Sequence, residues 1–185
     1  MKYFPGWSLV FLLVVLFASP NVCYAKTAKE INANVDAAIN RFEKDVPEGK
    51  DLLKKAKGVL VIPRVIKAGF IFGGEYGVGA LRINGKTVDY YNIGAGSFGF
   101  QLGGEMKDVY LLFMDDTVLD KFRNSEGWKA GVDGSVAFME SGAGGSVDTT
   151  VANKPILGYV LGQKGLMFNL TLEGAKFNKI KPDEK

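Results

Sequence analysis

The 185-residue sequence contains no histidine and a single cysteine, Cys23. Without histidine there is no Ser-His-Asp or Cys-His catalysis and no imidazole metal ligand. One thiol allows neither an intramolecular disulfide nor a thiolate zinc site. Net charge is small, with 23 Lys and Arg against 20 Asp and Glu, a formal +3. That balance lacks the basic excess of a nucleic-acid-binding domain. Glycine, by contrast, is abundant: 24 residues, roughly twice the usual share of about 7%. Hydrophobic residues make up 47%, too many for a disordered chain. The length suits one domain with a real core. The composition describes a globular, glycine-rich chain poor in catalytic side chains, and no enzyme, metal site or cofactor is expected.

The first 25 residues read as a secretory signal peptide. Lys2 precedes the apolar run Ser8–Ala18, and Cys23-Tyr24-Ala25 ends the segment with small residues at −3 and −1. The run is about half the roughly 20 residues a membrane span needs. Pro20-Asn21-Val22 lacks the small residue that lipoprotein processing at Cys23 requires. Cleavage after Ala25 would start the mature chain at Lys26, with neither Cys nor His and with 22 basic and 20 acidic side chains. The expected location is therefore outside the cytoplasm: periplasmic or secreted, with peripheral membrane association.

Helical spacing comes first in the remaining chain. Ile31, Val35, Ile39, Phe42 and Val46 recur every three or four residues, which predicts an amphipathic helix over 27–46. Pro47-Glu48-Gly49 breaks it, and a short second helix places Leu52, Leu53 and Ala56 on one side and Lys50, Lys54 and Lys57 on another. From Gly58 the period becomes two. Strands are predicted over Gly58–Arg64, Phe70–Ile83, Lys86–Ile93, Ser97–Gly103, Val109–Met114, Trp128–Met139, Gly144–Val151, Ile156–Gln163 and Leu166–Leu172. Asn84-Gly85 is a strong hairpin signal. Asp115-Asp116-Thr117 offers capping oxygens to a short helix through Arg123. Val109–Met114, apolar on both faces, reads as a central strand. Twenty-two glycines fall between Gly58 and Gly174. Glycine inside strands marks bulges, bends and close backbone approach, so the sheet should be strongly curved and barrel-like. Phe70–Glu75 is echoed by Phe100–Glu105 thirty residues later, which reads as a reused hairpin corner.

The motifs that could carry chemistry fail in context. Gly94-Ala-Gly96-Ser-Phe-Gly99 fits the dinucleotide pattern but is followed by a strand, where a helix N-terminus would be needed. Gly79 to Gly85-Lys86-Thr87 has one residue too many for a P-loop. Asp115, Asp116 and Asp120 suit a helix start better than a cation site. Asp108, Asp133 and Asp148 stand alone among apolar neighbours. Charge distribution is more informative. Residues 50–67 carry Lys50, Lys54, Lys55, Lys57, Arg64 and Lys67 against Asp51, a local +5, while residues 68–173 carry 8 basic and 12 acidic side chains. A basic cluster beside apolar surface suits anionic headgroups, at about 1 kcal/mol per charge.

The segment Ala56-Lys57-Gly58-Val59-Leu60-Val61-Ile62-Pro63-Arg64-Val65-Ile66-Lys67-Ala68-Gly69-Phe70 resembles the opening signature of SYLF domains. The resemblance continues through Gly73–Gly79, Gly96–Gly103, Lys107-Asp108-Val109, Asp133–Ala137 and Lys164-Gly165-Leu166 to Leu172-Glu173-Gly174. It spans roughly Leu52–Lys176. Asp89-Tyr90-Tyr91-Asn92 stands where the family often has a Trp-Ser-x-Pro-like stretch, and Tyr159–Gln163 lacks the usual serine-rich approach. The resemblance implies a non-enzymatic domain that binds phospholipids, acidic ones in eukaryotic members. Some of those also bind actin, a role not expected of an exported protein.

The expectation is an α+β domain, with N-terminal helices packed on a strongly curved, glycine-rich antiparallel sheet. Residues 26–49 form a helical segment, 50–176 the SYLF-like domain, and 177–185 a flexible tail. Helix 27–46 has nearly balanced charge, which suits docking on the sheet better than lying on an anionic membrane. Lys54, Lys55, Lys57, Arg64 and Lys67 are the expected lipid contacts, and the resemblance adds Lys164. The partner is an acidic phospholipid surface and not nucleic acid. The competing readings are a cell-envelope module that recruits a protein partner and a barrel that encloses an apolar ligand.

Overall fold

The computed structural model describes residues 26–69, 72–98, 105–138, 154–162, 165–166 and 174–183. The expected signal peptide, most of the strand at 97–103, the strand at 144–151, most of the strand at 166–172 and Lys164 lie outside these residues.

Helix α1 (Ala28–Asp45) starts at a capping box. The Thr27 hydroxyl accepts the Glu30 N–H at 3.2 Å, and the Glu30 carboxylate accepts the Thr27 N–H at 3.1 Å. Its apolar stripe buries Ile31, Val35, Ala38 and Phe42. After Pro47, Glu48 takes a left-handed conformation and turns the chain into α2 (Gly49–Lys55).

Nine strands follow among the described residues. They are β1 (Gly58–Gly69), β2 (Phe72–Ile83), β3 (Lys86–Phe98), β4 (Glu105–Phe113), β5 (Trp128–Lys129), β6 (Ala137–Phe138), β7 (Ile156–Gly162), β8 (Gly165–Leu166) and β9 (Lys176–Ile180). Helix α3 (Asp116–Asn124) lies between β4 and β5, with the Asp115 carboxylate accepting the Val118 N–H at 3.1 Å. The order is β5-β9-β3-β2-β1-β4-β7-β6, with β8 paired to β7. Asn84 and Gly85 both have positive φ, as the tight β2–β3 hairpin requires. As expected, β4 is interior, flanked by β1 and β7.

Four expectations change. The first strand runs on to Gly69 instead of stopping at Arg64. Pro63 and Arg64 sit at a β-bulge, where the pairing with β4 shifts between Ile62 and Val65. A bulge tolerates a residue with no N–H to give the ladder, and Arg64 takes a left-handed φ of 55°. The 128–139 strand is split by a turn at 131–133, held by the Asp133 carboxylate accepting the Lys129 N–H. The sheet is mixed rather than wholly antiparallel, because β6 pairs parallel with β7. Finally, the tail is ordered through Asp183. Phe177 is buried in the core, β9 pairs with β3, and Thr27 bridges Asp183.

Each sheet face carries a packed cluster, and strand alternation sorts the side chains. Val59, Val61, Ala80, Tyr110, Leu112 and Tyr159 face α1 and α2. Leu60, Ile62, Leu81, Tyr91, Val109, Leu111 and Phe113 face α3 and the inside of the curl. The sheet is a strongly curved half-barrel around this second cluster. The degree of curl shows at Gly134, where a β-carbon would lie 2.7 Å from Trp128 of β5 and 3.4 Å from Ile156 of β7. These strands are separated by five others in the sheet order, yet their side chains converge. Gly79 allows the tightest crossing: a β-carbon there would lie 1.9 Å from the Val61 carbonyl oxygen.

Candidate functional site

Asp108 is the joint between the helical layer and the bulge. Its carboxylate accepts Arg41 Nε and Nη2 at 2.9 and 2.7 Å and the backbone N–H of Arg64 at 2.8 Å. The neighbouring Tyr110 hydroxyl donates to the Ala38 carbonyl at 2.9 Å. These bonds tie α1 to β4 and hold the bulge, which leaves the Arg64 side chain exposed.

The expected lipid contacts do not form one patch. Lys54 and Lys55 end α2, Lys57 precedes β1, and all three are exposed. Lys54 lies 3.7 Å from Asp51 and Lys57 lies 3.6 Å from Asp116. Exposed pairs of this kind contribute about 0–1 kcal/mol and are screened by salt, so both ammonium groups stay available. Arg64 lies seven residues beyond Lys57 along β1, about 23 Å at strand rise. Lys67 turns to the inside of the curl, largely shielded, with its ammonium 3.9 Å from Glu75. Sequence reasoning grouped Lys67 with the others because proximity along the chain does not reveal sheet face.

A groove of about 660 Å³ opens beside Lys54, between α1, α2 and the β2–β3 turn. Ile39, Leu53, Ala56 and Val59 supply apolar surface, and Lys50, Lys54 and Arg82 supply positive charge. Arg82 is anchored there, its Nη2 2.7 Å from Asp36. Arg82 was missed at the sequence level because it lies far along the chain on a hairpin. A second groove, about 1060 Å³, runs along β3, β9 and the end of α3. There Asp89 pairs with both Arg123 at 2.9 Å and Lys179 at 2.8 Å.

The interior carries a second charged group. Lys107 and Glu75, both buried, pair at 2.8 Å, although the ammonium is poorly aligned for a directed hydrogen bond. Much of the hairpin corner expected from the sequence echo lies outside the described residues, but its two glutamates do not. Glu75 of β2 and Glu105 of β4 both stand opposite Lys67 in register.

Three tyrosines are shifted by their surroundings. Burial, reinforced by Asp108 and opposed by Arg41, raises Tyr110 well above its ordinary value. Burial and Asp89 do the same for Tyr91, against Arg123. Burial, then Glu48, pushes Tyr159 up to about 12. Each hydroxyl holds its proton more tightly folded than unfolded, so this stability is complete below pH of about 10 and is lost as pH rises through 10 to 12 and beyond. In an alkaline spectrophotometric titration, these phenolates are expected to appear together with loss of the far-ultraviolet dichroism signal. Their formation with the fold intact would contradict the burial.

Among the described residues, no group of three or more His, Cys, Asp or Glu is placed to hold a metal ion. No described helix is long and apolar enough to cross a membrane. Residues 94–183 match the Ysc84 family model, described as "Las17-binding protein actin regulator". A curated relative, "Beta cell expansion factor A" of Aeromonas veronii, is 32% identical over 158 residues, covering 82% of this chain. The chain spans 58% of that relative's length. On these matches the chain belongs to the Ysc84, or SYLF, domain family.

Proposed function

We propose that this chain is a non-enzymatic binding domain for acidic phospholipid headgroups, acting outside the cytoplasm. The observation that carries the reading is the end of α2. Lys54 lines a groove there that offers apolar surface next to Lys50 and Arg82, and exposed Lys55 and Lys57 follow it in the chain. A phosphate on the lysines would leave the glycerol and first acyl carbons over Ile39, Leu53 and Val59. Helix α1 is not free to lie on a membrane, since its apolar stripe is buried against the sheet. A ligand inside the curl would have to displace the aromatic cluster around Phe122.

Co-sedimentation with phosphatidylglycerol-containing vesicles tests the reading. Binding should require anionic lipid and weaken with salt. Changing Lys54, Lys55 and Lys57 together to Glu is expected to remove at least about 3 kcal/mol, a loss of about a hundredfold or more. Equal binding to neutral vesicles would overturn the proposal. The family description favours a second reading, recruitment of a protein partner. That reading expects a specific partner whose capture is indifferent to lipid and to the three lysines.

A further inference from the structure

Six strands each contribute one residue to a single row across the sheet. In register these are Lys129 of β5, Lys176 of β9, Gly94 of β3, Tyr76 of β2, Ile66 of β1 and Met106 of β4. At a strand spacing of about 4.8 Å the row is about 24 Å long. Alternation puts it on the outer face. Tyr76 shares its side with Val78 and Ala80, which pack under α1, and Met106 shares its side with Tyr110. The helices do not extend over the row: Ile66 is 51% exposed and Tyr76 58%. The surface beside them is open at the described glycines. Gly74 and Gly96 pair in the adjacent row, and a β-carbon at Gly94 or Gly96 would meet nothing within 4 Å.

Basic side chains flank this apolar strip. Exposed Lys129 and Lys176 continue the row, and exposed Arg64 sits at the bulge two residues before Ile66. Asp108, on the same face of β4, is engaged by Arg41 and by the backbone N–H of Arg64, and Asp133 at the other end accepts the Lys129 N–H. An aromatic with a polar tip, a branched aliphatic and a cationic flank form the composition that settles at a bilayer interface. A protein partner fits less well. Two exposed apolar side chains fall far short of the about 800 Å² per partner that a stable interface buries.

We propose that this row is a membrane-interface contact. Ile66 and Tyr76 enter the boundary between headgroups and acyl chains, while Lys129, Lys176 and Arg64 hold acidic headgroups. The inference rests on the acidic-lipid reading above and adds a second apolar contact, away from the groove beside Lys54.

Three measurements on the full chain test it. In a Tyr76→Trp variant, emission should shift to the blue on phosphatidylglycerol–phosphatidylcholine vesicles and be quenched by brominated acyl chains. The double change Ile66→Ser with Tyr76→Ser should weaken vesicle binding about tenfold, with dichroism and melting unchanged because both side chains are exposed. Sedimentation velocity should show no self-association that depends on these two residues. If the chain co-sediments with the vesicles but the emission of the Tyr76→Trp variant does not respond, or the double variant binds equally well, the insertion is wrong and the acidic-lipid reading stands. Self-association abolished by the double change would make the row a contact between copies and would overturn the proposal. Failure of the unaltered chain to bind the vesicles would overturn both readings.

Discussion

Phe122→Ala is expected to lower the unfolding free energy by about 3–5 kcal/mol. Phe122 is fully buried at the centre of the curl. Its ring centroid lies 4.8 Å from those of Tyr91 and Phe113, 5.3 Å from Trp128 and 6.4 Å from Phe177. These partners come from β3, β4, β5 and β9, so one ring joins strands from the middle and from one edge of the sheet. Truncation would leave a cavity with walls on rigid strands, which relax little, and would also remove aromatic pair terms of about 0.5–1.5 kcal/mol each. Helix α3 has nine residues, too few to persist alone, so losing its anchor should also loosen it. Domain stabilities are about 5–15 kcal/mol, which makes the loss a third or more of the total at mid-range. Urea unfolding followed by the fluorescence of buried Trp128 measures it. Phe122→Leu should retain much of the stability, and a loss below about 1 kcal/mol in the alanine variant would contradict the packing described.

Glu75→Leu is expected to cost about 3–5 kcal/mol, and adding Lys107→Met should recover most of it. The side chains of the pair are 7% and 1% exposed. Removing the carboxylate alone leaves the Lys107 ammonium buried on the face that holds Val65 and Val109, with desolvation uncompensated. Removing both charges replaces a poorly aligned ion pair with apolar contacts of similar volume, which is commonly neutral or stabilising. Lys67 tolerates either change, because its side chain is 22% exposed and can reach water. The comparison is made on single and double variants by denaturant unfolding at one pH. A double variant as unstable as Glu75→Leu would mean that the cost lies in Glu75's packing and not in a stranded charge.

Much of the fold was legible locally. The 27–46 helix, the Asn84-Gly85 hairpin, the Asp115 cap and the central position of 109–113 each follow from residues within a few positions of one another. The site was less legible. The three lysines at 54–57 were visible because one short segment presents them. Arg64 and Lys67 were grouped with them by sequence proximity, but the bulge at Pro63-Arg64 separates their surroundings. Lys67 ends beside Glu75, while Arg64 points to solvent. The tail lysines read as fraying because an alternating pattern of five residues is weak, yet buried Phe177 makes it a strand.

The sequence alone determined the class of this protein. It has an amphipathic helix followed by glycine-rich strands, no imidazole, no thiol outside the N-terminal 25 residues, and one short basic segment. These properties depend on composition and short-range periodicity. Tertiary structure decided which residues share a surface. A row that runs from Lys129 to Met106 draws on six strands, and its members meet only through strand pairing. A shift of one residue in any ladder would send that strand's side chain to the opposite face. Register is set by the packing of both faces at once, by α1 and α2 on one side and Phe122 on the other, and no local pattern carries that information.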